Sequence, residues 1–264
     1  MTKLRITINL PKCKLNSLFF HKPSITMMTR LIVAGAMTGA LFLVTHSTSA
    51  QASVEVADEA VTADTSWQEL GADQWRRYGG EGIPEAWQVS EDGALHFSGE
   101  GEGGDIITLE QYENFELKLE WKISPAGNSG IMFRVSEAHD YPWRTGPEYQ
   151  ILDNDAHPDA KEGADRHAGA NYDMHAPSAD VVNPVGEWNQ ARIVVDGAKV
   201  EHWLNGEKIV SYELWSDAWK ASIAESKWID MPDYGMTKVG HICLQDHSDP
   251  VWFRNIRIRR LSAS

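Results

Sequence analysis

The sequence predicts an all-β sandwich, and three observations carry that expectation. Short runs of alternating apolar and polar residues recur from Trp67 onward between Gly, Pro and Asn/Asp punctuation, the mark of many half-buried antiparallel strands. Only one stretch, 213–228, reads as helical, and it ends before Pro232. No strand–helix–strand rhythm is present, so a parallel sheet with crossover helices is excluded.

The chain before Trp67 is of a different kind. Residues 1–52 hold six Lys or Arg and no Asp or Glu, and Arg30 precedes the apolar run Leu31 to Val44. Small residues follow, ending Ala50-Gln51-Ala52. That order is the basic, apolar and cleavable pattern of a secretory signal. The run is 14 residues long, short for a bilayer span, and no Cys at the cleavage site suggests a lipid anchor. A start at Met27 or Met28 gives a signal of ordinary length, so residues 1–26 read as an upstream extension. The segment 53–65 is small and acidic, the composition of a flexible linker, and 66–264 is the folded domain. The expected location is secreted or periplasmic.

Without residues 1–52 the chain keeps 18 basic and 38 acidic residues, a balance of −20. Such a surface disfavours nucleic acid and anionic membrane as partners. Cys243 is then the single cysteine, so the fold rests on its core and not on disulfides.

Within the domain, Trp87–Val89, Ala94–Phe97 and Asp105–Leu109 read as short strands. From Phe115 to Ile123 every second residue is apolar and the others are Glu or Lys, a strand with one face in a core. In Asn128–Val135 the alternation places Ile131, Phe133 and Val135 on one face, and Asn128, Met132 and Arg134 on the other. In Glu148–Asp153, Tyr149 and Ile151 oppose Glu148 and Gln150. Strands at 188–195 and 199–204 turn at Asp196-Gly197, and a further hairpin turns at Asn205-Gly206, the pair favoured for a type I′ turn. Val239–Gln245 and Val251–Leu261 close the domain. Phe253 and Ile256 have opposite parity, which predicts a bulge near Arg254-Asn255.

A carboxylate, a guanidinium and carboxamides on one sheet face suit a hydroxyl-rich ligand. Glu148, Arg134 and His247 are the expected catalytic residues, with Asn128, Gln150, Gln245 and Tyr172 binding substrate. Asp153 is the candidate ligand of a divalent metal ion, completed by a loop histidine. On a regular strand Asp153 faces away from Glu148 unless a bulge re-aims it. His202 shares a face with Val200 and Leu204 and reads as a core histidine. There is no Gly-rich phosphate loop and no G-x-S-x-G elbow, which argues against nucleotide chemistry and serine hydrolysis.

Seven segments occur in order: Asn128–Arg134, Glu148–Asp153, Gly186–Asn189, His202–Gly206, Ser226–Trp228, Gly240–His247 and Phe253–Ile256. Together they resemble the 3-keto-disaccharide hydrolase domain over roughly Trp67 to Leu261. The resemblance implies a concanavalin-like jelly roll of two curved antiparallel sheets, with the site on the concave face, and activity on 3-oxo-glycosides. Two loop positions depart from the family pattern. Ser248 stands where a glycine is usual, and Asn171 interrupts a Gly-Ala-Leu-Tyr segment; both bear on substrate and not on fold.

The implied chemistry is C2 proton abstraction, β-elimination and hydration, acting on a small oligosaccharide or glycoside. It needs a base, a group polarising the ketone, and assistance to the leaving oxygen. Glu148 or His247 is the base. Arg134, or a metal held partly by Asp153, polarises the enolate, and Gln150 orients hydroxyls. A retaining glycosidase needs two carboxylates about 5–5.5 Å apart, and a lectin-like module needs no base at all. Both stand as alternatives.

The mature N-terminus is expected between residues 49 and 54, where Ala50 and Ala52 supply the small residues of the cleavage site. Mass spectrometry of protein from the extracytoplasmic fraction checks this; intact protein beginning before Leu31 overturns it.

Overall fold

The computed structural model describes residues 65–262; the expected signal segment and nearly all of the acidic linker lie outside them. The strands are β1 (Gln68–Glu69), β2 (Trp75–Arg77), β3 (Trp87–Val89), β4 (Leu95–Phe97), β5 (Ile106–Thr108), β6 (Phe115–Ile123), β7 (Asn128–Val135), β8 (Glu148–Leu152), β9 (Asn189–Asp196), β10 (Lys199–Leu204), β11 (Glu207–Glu213), β12 (His241–Leu244) and β13 (Val251–Arg260). One α-helix, α1 (Asp217–Glu225), lies between β11 and β12. It is shorter than the sequence predicts because β11 runs to Glu213 and Ser216 caps the helix, its hydroxyl accepting from the Trp219 N–H. A 3₁₀ turn, Lys227–Asp230, follows.

Two antiparallel sheets make a jelly-roll sandwich. The eight-stranded sheet runs β11-β10-β9-β6-β13-β4-β3, with β1 on β13, and the five-stranded sheet runs β2-β5-β12-β7-β8. Period-two alternation fills the space between them. Phe115, Leu117, Leu119, Trp121 and Ile123 of β6 pack into one core with Ile131 and Phe133 of β7 and Tyr149 and Ile151 of β8. His202 is in that core, its Nδ1 3.0 Å from the Gly169 carbonyl, and burial pushes its pKa down to about 4. Asn205 and Gly206 both take positive φ, 49° and 86°, as the type I′ hairpin requires. The register of β13 slips between Arg254 and Arg257, with Asn255 at φ 52°, where the parity change predicts a bulge.

A second bulge was not legible in the sequence. In β7, Val135 pairs with His241 and Met132 with Cys243, so Phe133 and Arg134 together face one residue of β12. Arg134 takes φ 53°. The extra residue reverses the parity of the strand end: Val135 joins Met132, Ile107 and Cys243 in a small cluster separate from the main core. The expected grouping of Val135 with Ile131 and Phe133 is thereby corrected.

Leu119 is buried in the core, whereas neighbouring Glu120 makes a partly exposed ion pair with Arg254 at 2.7 Å. Leu119→Ala is expected to cost about 2–5 kcal/mol of stability, and Glu120→Ala about 1 kcal/mol or less. Denaturant melts of the two variants check this, and equal costs overturn the assignment of faces.

Candidate functional site

The outward face of the five-stranded sheet carries a cleft of about 560 Å³. Strand parity builds its floor. Tyr149 and Ile151 point into the core, so Glu148 and Gln150 point out, beside Asn128 of β7, Gln245 just past β12 and Asp105 just before β5. Loops raise the walls: Tyr141 and Trp143 between β7 and β8, Tyr172 after β8, Lys227 and Trp228 after α1, and His247 after β12.

Glu148 is the centre of this arrangement. Its side chain lies over Gly130 of the neighbouring strand, where even a Cβ would run into the carboxylate. The residue is 5% exposed, and burial pushes its carboxyl up to about 8, an effect that the Lys227 charge opposes and Asp105 and Asp159 reinforce. Burial likewise lowers the Lys227 pKa, with Glu148 and Asp173 working against it. The Lys227 Nζ sits 4.0 Å from the Tyr172 ring centroid and 4.5 Å from that of Trp228, a stem-and-ring contact that fixes the ammonium.

A chain of charges secures that wall. The Tyr172 hydroxyl donates to Asp159 (2.7 Å), and Arg166 bridges Asp159 (2.9 Å) and Asp173 (2.6 Å). Asp173 in turn accepts from the Lys227 backbone N–H at 2.8 Å. The opposite wall is tied by acids. Burial pushes Asp105 up to about 7, and its carboxylate accepts from the Asp246 N–H at 2.9 Å. Asp246 accepts from the backbone N–H groups of Gly104 (2.6 Å) and Ser248 (2.8 Å). Ser248 adopts φ 71°, a backbone that suits glycine. His247 is thus carried on a braced turn.

The cleft floor holds open hydrogen-bonding capacity. The buried Asn128 Oδ1 and Gln245 Oε1 have no hydrogen-bond partner, while the Gln150 Oε1 accepts from the Ile151 N–H at 3.2 Å. Buried acceptors are normally satisfied, so these suit a ligand rich in hydroxyl donors. Tyr141 and Trp143 stack at 5.3 Å between centroids and offer ring faces at the rim.

Six of the eight residues expected from sequence therefore meet in the cleft: Glu148, His247, Asn128, Gln150, Gln245 and Tyr172. Two do not. The β7 bulge turns Arg134 away, and its buried guanidinium donates through Nη2 to the carbonyls of Glu113 (3.0 Å) and Gly197 (2.8 Å) and lies over Trp215. Asp153 lines a different depression. Its carboxylate is taken up by the N–H groups of Ala126 (2.7 Å), Asp155 (3.0 Å) and Ala156 (3.1 Å), the work of a turn-former and a poor fit to a metal ligand. Among the described residues no group of three His, Cys, Asp or Glu side chains is arranged to hold a metal ion.

Sequence reasoning missed Lys227 and Asp105 as site residues. Lys227 sits inside the Ser226-Lys227-Trp228 segment, but only tertiary packing brings it to Glu148. Asp105 shares the outward parity of Ile107, a weak signal in so short a strand.

Carboxyls, open carboxamides and aromatic rings in one cleft of a two-sheet β-sandwich suit a carbohydrate ligand, and the relatives of this chain place it among carbohydrate hydrolases. The chain belongs to the 3-keto-alpha-glucoside-1,2-lyase-like domain family, whose pattern it matches over residues 66–259. It is 38% identical over 216 residues to the 3-keto-disaccharide hydrolase of Bacteroides thetaiotaomicron, covering 71% of this chain and 74% of that one. A candidate glycosyl hydrolase from Parabacteroides distasonis superposes with TM-score 0.67 at 38% identity, over 74% of this chain and 94% of that one. A second from the same organism gives 0.59 at 26% identity, over 74% and 100%. No helix among the described residues is long and apolar enough to cross a membrane.

Burial of Glu148 sets the sign of a stability effect. A carboxyl whose folded pKa is raised to about 8 binds more proton folded than unfolded between about pH 4.5 and 8, so it lowers stability as pH rises through that window. Glu148→Gln is expected to remove this slope, leaving the variant more stable than wild type at pH 8–9 and the difference shrinking toward pH 5. Melting temperatures across pH check it; a variant less stable than wild type at pH 9 contradicts it.

Proposed function

We propose that the chain cleaves 3-oxo-glycosides, 3-keto-disaccharides among them, by elimination and hydration, and that Glu148 is the base. The observation that carries this reading is a buried carboxyl poised near 8 within the field of the Lys227 ammonium, at the floor of a cleft whose carboxamide oxygens await hydroxyl donors. A ketone at C3 acidifies the C2 hydrogen, so a base of this strength suffices, and a catalytic pKa near the working pH is the efficient one.

In the first step the Glu148 carboxylate takes the C2 proton and the electron pair moves into the C3 carbonyl as an enolate. Lys227 places a positive charge where that oxygen charge develops; it fills the role that sequence reasoning gave to Arg134 or a metal. The enolate then collapses, the C1–O bond breaks, and the leaving oxygen takes a proton from the His247 wall. Water adds to C1 of the resulting enone and a proton returns to C2, which completes net hydrolysis. Asn128, Gln150 and Gln245 orient sugar hydroxyls, and Tyr141 and Trp143 receive ring faces.

A retaining glycosidase is the second reading, favoured by one observation: two carboxyls, Glu148 and Asp105, face the same cleft. Assay on a 3-oxo-glycoside beside its unoxidised parent separates the two. Elimination requires turnover of the oxidised substrate only, while cleavage of the parent at a similar rate supports the glycosidase.

Glu148→Gln is expected to lower turnover of a 3-oxo-glycoside by about 10²–10⁴. Lys227→Gln takes away the charge that favours ionised Glu148, so the rising limb of kcat/KM, near pH 8 in wild type, moves to higher pH. A folded Glu148→Gln variant with wild-type turnover, or an unmoved limb in Lys227→Gln, contradicts these roles.

A further inference from the structure

The outward face of the eight-stranded sheet carries a second groove, of about 580 Å³. A single register line crosses it. Arg257 of β13 pairs with Lys118 of β6, Lys118 with Arg192 of β9, Arg192 with Trp203 of β10, and Trp203 with Lys208 of β11. Five strands at ~4.8 Å spacing make this row about 19 Å long. Like charges directly opposite on neighbouring strands are destabilising. Here three cations are consecutive, in a chain whose formal charge is −14.

The row is braced to face solvent. The buried carboxylate of Glu116, two residues along β6 from Lys118, holds the Arg192 Nε at 2.6 Å and the Arg259 Nε at 2.8 Å. Arg192 lines the groove, and Glu116 engages it through Nε and not through the paired Nη groups that grip a carboxylate or sulfate. Glu120 holds the Arg254 Nε in the same way at 2.7 Å. Arg257 has the Trp67 ring 5.3 Å away and Glu69 opposite it on β1, with no carboxylate within salt-bridge distance among the described residues; Lys118 sits 4.9 Å from the same ring and 3.4 Å from Glu116. Trp203, with Arg192 at 4.5 Å and Lys208 at 5.9 Å, sets an indole in the row. Both ends are closed by acids: Glu69 pairs with Arg257, and Glu201 binds Lys208 at 3.0 Å.

We propose that this groove binds an acidic oligosaccharide, its carboxylate or sulfate groups on Arg257, Lys118 and Arg192 and a pyranose face on Trp203. The acidic ends confine contact to a short stretch of an anionic chain, a few carboxylate- or sulfate-bearing sugar units at a time. The groove lies on the opposite face of the sandwich from the Glu148 cleft, so this binding stands or falls independently of the catalytic reading.

Affinity electrophoresis of the protein through gels containing an acidic polysaccharide (polygalacturonate or heparin), a neutral one (dextran) or single-stranded DNA tests the proposal. The expected result is retardation by the acidic polysaccharide alone, weakened by rising salt. Arg257→Ser and Lys118→Ser should each weaken it by about tenfold, and Trp203→Ala should weaken it with the charges intact. Glu148→Gln should bind as wild type while losing turnover. Circular dichroism confirms that each variant is folded. Equal retardation by dextran, stronger retardation by DNA, no retardation by any, or indifference to Arg257→Ser and Lys118→Ser overturns it.

Discussion

The two-residue period of β8 is the constraint on which the rest of the molecule depends. Tyr149 and Ile151 are wholly buried between the sheets, and a one-residue slip would turn them outward and send Glu148 and Gln150 into the core. Core packing therefore fixes the direction of the site residues more firmly than any contact the site makes itself. Gly130 completes the arrangement from the adjacent strand. Because it has no side chain, the Glu148 carboxylate lies down against the sheet instead of reaching into solvent, and it is this posture that removes water from it.

Taking water from a carboxylate raises the energy of its charged form, and the cleft answers with the Lys227 ammonium at its wall instead of a bidentate guanidinium. The difference matters for chemistry. A tight Arg pair would hold Glu148 ionised and weakly basic, whereas Lys227, itself disfavoured as a cation by burial, leaves the carboxyl high. The charged network from Tyr172 through Asp159, Arg166 and Asp173 lends Glu148 the Asp159 charge, which raises its carboxyl further. It also locks the segment that presents Lys227.

Local pattern was enough for the sandwich, since β6 and β10 run where alternation places them and the Asp196-Gly197 and Asn205-Gly206 turns fall at their hairpins. It also sufficed for the outward face of β8. It failed at Arg134, because a bulge arises from the fit between two strands: Phe133 and Arg134 facing one residue of β12 is a fact about the pair and not about either sequence. It failed at Asp153 for a local reason. An Asp at a strand end is ambiguous between ligand and turn-former, and three backbone N–H donors decide it. Lys227 could not be read as a site residue because its partner is 79 positions away in the chain.

The two outward faces use charge in opposite ways. On the five-stranded sheet, loops enclose a few groups, so one carboxyl and one ammonium act at short range in a medium that magnifies them. On the eight-stranded sheet the row from Arg257 to Lys208 lies open, where each charge alone is screened and worth little. Repetition along a register line is what gives such a face recognition, with Glu116 holding Arg192 and Lys118 from the neighbouring row and Glu201 holding Lys208 at its end. A catalytic group gains from isolation and a binding row from repetition, and a sandwich, with two outward faces joined by one core, has room for both.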